Sequence, residues 1–248
     1  MTLADYGLYA GVTLALSTVF AMGGVGSAVA LVPVFHLMGL PLNLAKAIGL
    51  FVNSASTITA SVMNARRGML DIRFALPLVV AVLVATPIGA WSSQFVPERA
   101  VQWALALFMV LSAGLMIFSP REARVAFDRI WVKPLLGVAV GYLSGLIGVG
   151  GGVPILAVLT LLGHDAKKAA YAVSFVIPFS TLGGFVTYAG FVDIDWILLA
   201  VVGVAAVGGG YIGSNIMHFR LSSAQVKKLI AVLLLMLAGK MIFDLLAG

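Results

Sequence analysis

Charged positions along this chain come mostly in ones and twos, and the stretches between them are apolar and as long as a membrane is thick. Uncharged runs cover residues 47–65, 74–97, 100–120, 169–192 and 196–217, and a sixth starts at Leu229 and tolerates Lys240 near its end. About 20 apolar residues cross a bilayer, so the pattern predicts six transmembrane helices. Two further stretches, 6–45 and 134–163, are too long for one ordinary span, and glycines break each of them, "GGVGS" at 23–27 and "GVGGG" at 148–152. Irregular backbone inside hydrocarbon is tolerated only where protein or a water-filled cavity satisfies its polar groups. The breaks therefore predict two re-entrant helical hairpins, each turning at a glycine tip from which a short half-helix leaves near the membrane midplane. Ser27 suits the N-cap of the first half-helix and Pro154 the first turn of the second.

Six segments recur in order at a shift of about 124 residues. "GGVGS" at 23–27 lies over "IGVGG" at 147–151, Gly39 over Gly163, and Ser56-Thr57 over Ser180-Thr181. "GMLD" at 68–71 matches "GFVD" at 190–193, "PIGA" at 87–90 matches "YIGS" at 211–214, and "GLMIF" at 114–118 matches "GKMIF" at 239–243. An internal duplication follows: a first repeat at 1–119, a charged cytoplasmic linker at 120–133 and a second repeat at 134–248. Charge sets the orientation. Four crossings per half would put seven basic residues on each face, with no bias. If instead each glycine-broken stretch enters and leaves by one face, each half has three full spans and the second half is inverted. Arg66, Arg67, Arg73, Arg121, Arg124, Arg129, Lys133, Lys167, Lys168, Arg220, Lys227 and Lys228 then share one side, 12 of the 15 Lys and Arg, with Asp193 and Asp195 opposite. Only the second arrangement obeys the positive-inside rule. The expected fold is an all-α polytopic membrane protein of two inverted repeats, each a glycine-tipped re-entrant hairpin plus three transmembrane helices.

Composition agrees. The chain is 62% hydrophobic and 10% charged, with a mean hydropathy of +1.13, whereas a soluble domain carries roughly 25% charged residues. No Lys or Arg precedes Lys46, so a cleaved basic signal segment is not expected. The absence of cysteine removes thiol catalysis and Cys-ligated metal. The net charge of +6 sits in basic residues that flank spans, which reads as topology and not as a nucleic-acid site. No cofactor, metal or catalytic residue is expected, and the partners are the lipid bilayer and a small anionic substrate. A coupling ion stays unidentified and a homo-oligomer stays open.

Half-helix N-termini at the midplane present free backbone N–H groups and a positive dipole end, an arrangement that suits an anion. Broken helices at matching places of inverted repeats point to a transporter site. The candidate backbone donors are Gly24, Gly26 and Ser27 with Gly150, Gly151 and Gly152; the side-chain donors are Asn53, Ser56, Thr57, Ser180 and Thr181. Plainer uses stand beside these. Gly141, Gly145, Gly208, Gly209, Gly210 and Gly213 suit close helix packing, and hydroxyls in membranes commonly bond their own helix or a neighbour. Pro178 should kink its span and free a carbonyl. Lys46, on the outer face, reads first as a snorkelling anchor and second as a charge that attracts anions, and His36, His164 and His218 read as interfacial residues. No span interior holds Asp, Glu, Lys or Arg apart from Lys240, which argues against a cation substrate. An intramembrane enzyme would need a nucleophile–base pair or metal cluster, and neither is visible. A passive anion channel could use the same donors.

The doubled pattern in "GGVGSAVALVPVFHLMGL" and "LIGVGGGVPILAVLTLLGHDAKKAAYAVSFVIPFST" resembles the sulfite exporter TauE/SafE family over essentially the whole chain. Each copy has a Gly-rich motif, an apolar half-segment, a short linker and a Ser/Thr-bearing span. The resemblance implies transport of small anions, typically sulfite, sulfonates or other organosulfur anions, across the cytoplasmic membrane, in either direction. One departure is that Pro33 follows the first motif, whereas Ala157 holds the equivalent place in the second and Pro154 stands three residues earlier.

Overall fold

The computed structural model describes residues 2–24, 26–118, 131–219 and 223–247, without the side chains at 166, 167, 217–219, 223 and 224. Most of the expected linker therefore lies outside the described residues, as does the side chain of His218. All regular structure among the described residues is helical. The first half holds α1 (Leu3–Gly23), α2 (Ala28–Leu37), α3 (Leu42–Arg66), α4 (Ile72–Ser92), a 3-10 turn (Ser93–Phe95) and α5 (Glu98–Phe118). The second holds α6 (Val132–Ile147), α7 (Gly152–Leu161), α8 (Ala166–Ala189), α9 (Trp196–Phe219) and α10 (Ser223–Ala247).

Among the described residues six helices are long and apolar enough to cross a membrane: Leu3–Gly23, Ile72–Phe95, Glu98–Phe118, Lys168–Ala189, Trp196–Ile216 and Gln225–Ala247. The chain is a multi-pass membrane protein. Five of these match expected spans. The sixth is α1, the first limb of the first broken stretch, and not the run at 47–65. That run lies in α3, a 25-residue helix that is long enough but too polar. Its Lys46, Asn53, Ser54, Ser56, Thr57 and Ser61 are all buried. α3 turns them inward against α8, α9 and α2, so its polarity marks the middle of the bundle. Large apolar side chains such as Leu83, Val84, Leu107, Leu111 and Val204 point outward.

The helices of the two halves correspond at the 124-residue shift, and so do their packing partners. α1 lies along α9 as α6 lies along α4; α2 packs on α3 as α7 packs on α8; α3 faces α8, and α5 faces α10. Glycines set two of these seams. A methyl added at Gly145 would overlap the Thr86 carbonyl and sit 2.8 Å from Ala90 N, and one at Gly209 would lie 2.8 Å from the Leu14 carbonyl. Such close backbone approach is the use of small residues in membrane helices.

Each broken segment starts and finishes at one end of the bundle. The Tyr6 hydroxyl donates to Asp195 Oδ2 at 2.8 Å and the Tyr9 hydroxyl to the Met38 carbonyl at 3.3 Å. The start of α1, the end of α2 and the start of α9 therefore meet. The Leu198 N–H and the Tyr6 hydroxyl hold the Asp195 carboxyl below its usual range. At the far end the Phe74 ring meets both His164, after α7, at 4.9 Å and the Lys133 ammonium, at the start of α6, at 4.5 Å. The 24 residues of α8, about 36 Å of helix, separate the two ends.

Candidate functional site

The two glycine breaks meet against the middle of α3. Gly24 (φ 67°) ends α1, and Gly26 (φ 78°) carries the chain toward α2. Gly148 (φ 77°) ends α6, and Gly151 (φ 57°) precedes α7. These left-handed conformations are the reason for glycine at the turns. Between the breaks stands Asn53, fully buried, the twelfth of the 25 residues of α3. Its Oδ1 accepts the Ser27 N–H at 2.6 Å. Its Nδ2 is buried without a hydrogen-bond partner. A methyl at Gly26 would overlap the Asn53 amide; one at Gly150 would overlap Nδ2 and approach Thr181 Cγ2 at 3.3 Å and Ile177 Cγ2 at 3.4 Å. A buried amide donor left unmade costs about 1–3 kcal/mol, so Asn53 Nδ2 is a donor still open to an acceptor.

Gly26, Ser27, Asn53, Gly150 and Thr181 thus come together. The other expected donors serve elsewhere. The Gly24 N–H closes α1 on the Ala21 carbonyl at 3.2 Å. Gly151 faces back toward Ser144 and Val140 of α6, and Gly152 is the first residue of α7. Thr57 Oγ1 donates to its own helix at the Asn53 carbonyl, 2.6 Å away. Ser180 Oγ lies 2.8 Å from Thr86 Oγ1 of α4, and Ser56 lies against Gly210 of α9. Ser27 occupies the N-cap position of α2, but its side chain makes no capping bond; Oγ lies 3.4 Å from Ser17 Oγ instead. Its backbone N–H is already spent on Asn53.

Sequence reasoning missed Ser54, Thr86 and Ser61. Ser54 Oγ donates to Thr181 Oγ1 at 2.7 Å, joining α3 to α8 beside the site. Pro178 has no N–H to offer the carbonyl one turn back, at Ser174, and Ser61 Oγ donates to that carbonyl at 2.6 Å. The freed acceptor expected at Pro178 thus exists and is satisfied across the α3–α8 interface.

Lys46 corrects the sequence reading. It does not snorkel: it is completely buried. Its ammonium donates to Ser93 Oγ at 2.7 Å, Asn43 Oδ1 at 3.2 Å and the Leu146 carbonyl at 3.4 Å, and lies 5.4 Å from the Tyr188 ring centre. The Tyr188 hydroxyl donates to the Gly145 carbonyl at 2.8 Å, so both side chains meet the carbonyl end of α6. A long side chain five residues into a helix can reach the interface, but here the α6 terminus covers it. Lys240, by contrast, pairs with Asp244 one turn on and stays exposed.

A family model described as "Sulfite exporter TauE/SafE" matches residues 9–241. The chain is similar to "Probable membrane transporter protein MJ0441" of Methanocaldococcus jannaschii, 27% identical over 180 residues, which cover 70% of this chain and 67% of that protein. It is 24% identical over 202 residues to "Probable membrane transporter protein YdhB" of Bacillus subtilis, covering 78% and 81% of the two chains. It is 25% identical over 232 residues to "Probable membrane transporter protein ORF9" of Sinorhizobium sp, covering 90% and 85%.

Proposed function

The chain belongs to the sulfite exporter TauE/SafE family of membrane transporters, and we propose that its cargo is a small anion: sulfite, a sulfonate or another organosulfur anion or oxyanion. The anion crosses the cytoplasmic membrane by alternating access between two inverted repeats, 1–119 and 134–248, joined on the cytoplasmic side by 120–133. Each repeat contributes a re-entrant glycine-tipped hairpin. This reading is supported by the return of each broken segment to its own end of the bundle, through Tyr9 and Met38 and through Phe74 with His164.

One observation carries the anion: a buried amide donor without a partner, Asn53 Nδ2, held where both glycine breaks converge. Gly26, Ser27, Asn53, Gly150 and Thr181 form the immediate site. Gly24, Gly151 and Gly152 shape the tips, and Ser56, Thr57 and Ser180 complete the polar layer of α3 and α8. No carboxylate belongs to this layer, so every group in it tolerates negative charge. Burial of Ser27, Asn53 and Thr181 favours a carrier, which hides its site between openings, over a channel. The reading assigns no coupling ion.

The test is thermal stabilisation of the purified chain by sulfite, sulfate, thiosulfate, sulfoacetate and acetate, since a ligand that binds the folded form raises its apparent stability. At 100 times its dissociation constant a true substrate adds about 2.7 kcal/mol. Failure of every anion to stabilise beyond a chloride control of equal ionic strength refutes the reading. Linear, uncoupled conductance in place of saturating flux would convert it to a channel.

A further inference from the structure

We propose that Lys46 is the anion-selecting residue of this transporter, a buried cation reserved for the negative charge of the cargo; the inference rests on the anion reading above. Position comes first. Lys46 and Asn53 are seven residues apart on α3, two turns, so they share one helix face about 10 Å apart. Lys46 lies toward the end of the bundle where Tyr6 meets Asp195, because Ser93 at the close of α4 and Tyr188 at the close of α8 surround it. An anion moving along α3 from that end meets Lys46 before it meets the open amide of Asn53.

Charge comes second. All three hydrogen-bond partners of the ammonium are neutral oxygens, on Ser93, Asn43 and Leu146. Among the described residues no carboxylate is paired with it, and Glu98, at the start of α5, acts on it only through space. Neutral acceptors and the carbonyl end of α6 offset only part of the cost of burying a full charge. An anion supplies the remainder, and a neutral or cationic cargo does not.

The repeat supplies an internal control. Shifted by 124 residues, Lys46 falls on Ala170, Ser93 on Met217, Leu146 on Met22 and Tyr188 on Asn64. The first glycine break closes α1 at Gly24 with no cation at the equivalent place. The architecture can therefore end a broken helix at its tip without a buried lysine. What the second break has in addition is a function of the charge, not of the turn.

Three variants of the full chain test this, with sulfite and sulfoacetate as probes, thermal-shift titration for binding and flux into phosphatidylcholine–phosphatidylglycerol vesicles for transport. Lys46→Gln should weaken both anions by at least 30-fold, about 2 kcal/mol at 1.4 kcal/mol per tenfold, while the anion-free protein keeps its melting temperature. Lys46→Arg should stay within about fivefold of the native affinity. Ser93→Ala removes a competitor for the ammonium and should tighten anion binding, so it tests the assignment even where Lys46→Gln fails to fold. Native affinity in Lys46→Gln, or weakened anion binding in Ser93→Ala, overturns the proposal and leaves Lys46 as a cap on α6. The anion reading survives either result. Only a native chain that binds no anion refutes both.

Discussion

Asn53→Asp separates a structural amide from an anion-binding one. The exchange keeps size and shape and keeps an oxygen to accept the Ser27 N–H, now at 2.6 Å from Oδ1. It replaces the partnerless Nδ2 with a second carboxylate oxygen. A bound anion within about 4 Å of the new charge, at an effective dielectric constant of about 20, is opposed by about 4 kcal/mol. That corresponds to a loss of affinity on the order of a thousandfold, and even a third of it is tenfold. The anion-free protein should itself lose stability, because a single Ser27 N–H offsets only part of the cost of burying a carboxylate at this fully buried position, so anion binding is read against each variant's own baseline. Asn53→Ala adds no charge: it orphans that N–H and should cost about 1–3 kcal/mol of stability, with a smaller loss of anion affinity. Melting curves with and without sulfite read both quantities from one sample. An Asn53→Asp chain that binds sulfite within threefold of native would refute a site at Asn53.

Two further predictions concern the scaffold. Gly145→Ala drives a methyl into the Thr86 carbonyl and to within 2.8 Å of Ala90 N, both backbone atoms of α4, and should destabilise by about 1–3 kcal/mol as overpacking does. Gly239→Ala meets nothing within 4 Å and should be neutral or stabilising by up to about 1 kcal/mol; equal effects in detergent melting would refute the seam. For topology, the cysteine-free chain accepts single thiols without background. An impermeant maleimide applied outside intact cells should label Arg99→Cys and leave Met69→Cys untouched, and labelling of both from one side would break the proposed orientation.

Helix bounds were legible in the sequence because apolar length and glycine–proline punctuation are local properties. α4, α5, α8 and α9 follow from charge-free runs alone, and α10 from a run that tolerates Lys240 near its end. α3 was legible as a helix but not as the polar centre of the bundle, since a membrane-length run that holds Asn53, Ser54, Ser56 and Thr57 does not announce which neighbour takes each group. The duplication made this harder in one respect. It aligned Ser56-Thr57 with Ser180-Thr181, whereas the bonds join unlike places: Ser54 to Thr181 and Ser180 to Thr86. Lys46 was misread for the same reason. Its partners Ser93 and Leu146 are 47 and 100 residues away, so a lysine near a helix end looked free to reach water.

The departures from symmetry locate the chemistry more sharply than the symmetry does. On the proposed inverted-repeat reading, a two-fold scaffold explains why α1 lies along α9 as α6 lies along α4, and it offers two conformations that the halves can exchange. It does not explain Asn53, whose twin is Ile177, or Thr86, whose twin is Gly210. Asn53 reaches both breaks, at Gly26 and at Gly150, from α3 alone, so the cargo would rest against Asn53 of α3 with Thr181 of α8 beside it whichever end is open. On the proposed mechanism the site's polarity therefore travels with α3, while the glycine seams at Gly145 and Gly209 hold each hairpin to a span. Exchange of the two states then repacks the interface between α3 and α8, where the Ser54–Thr181 and Ser61–Ser174 bonds must break or slide together.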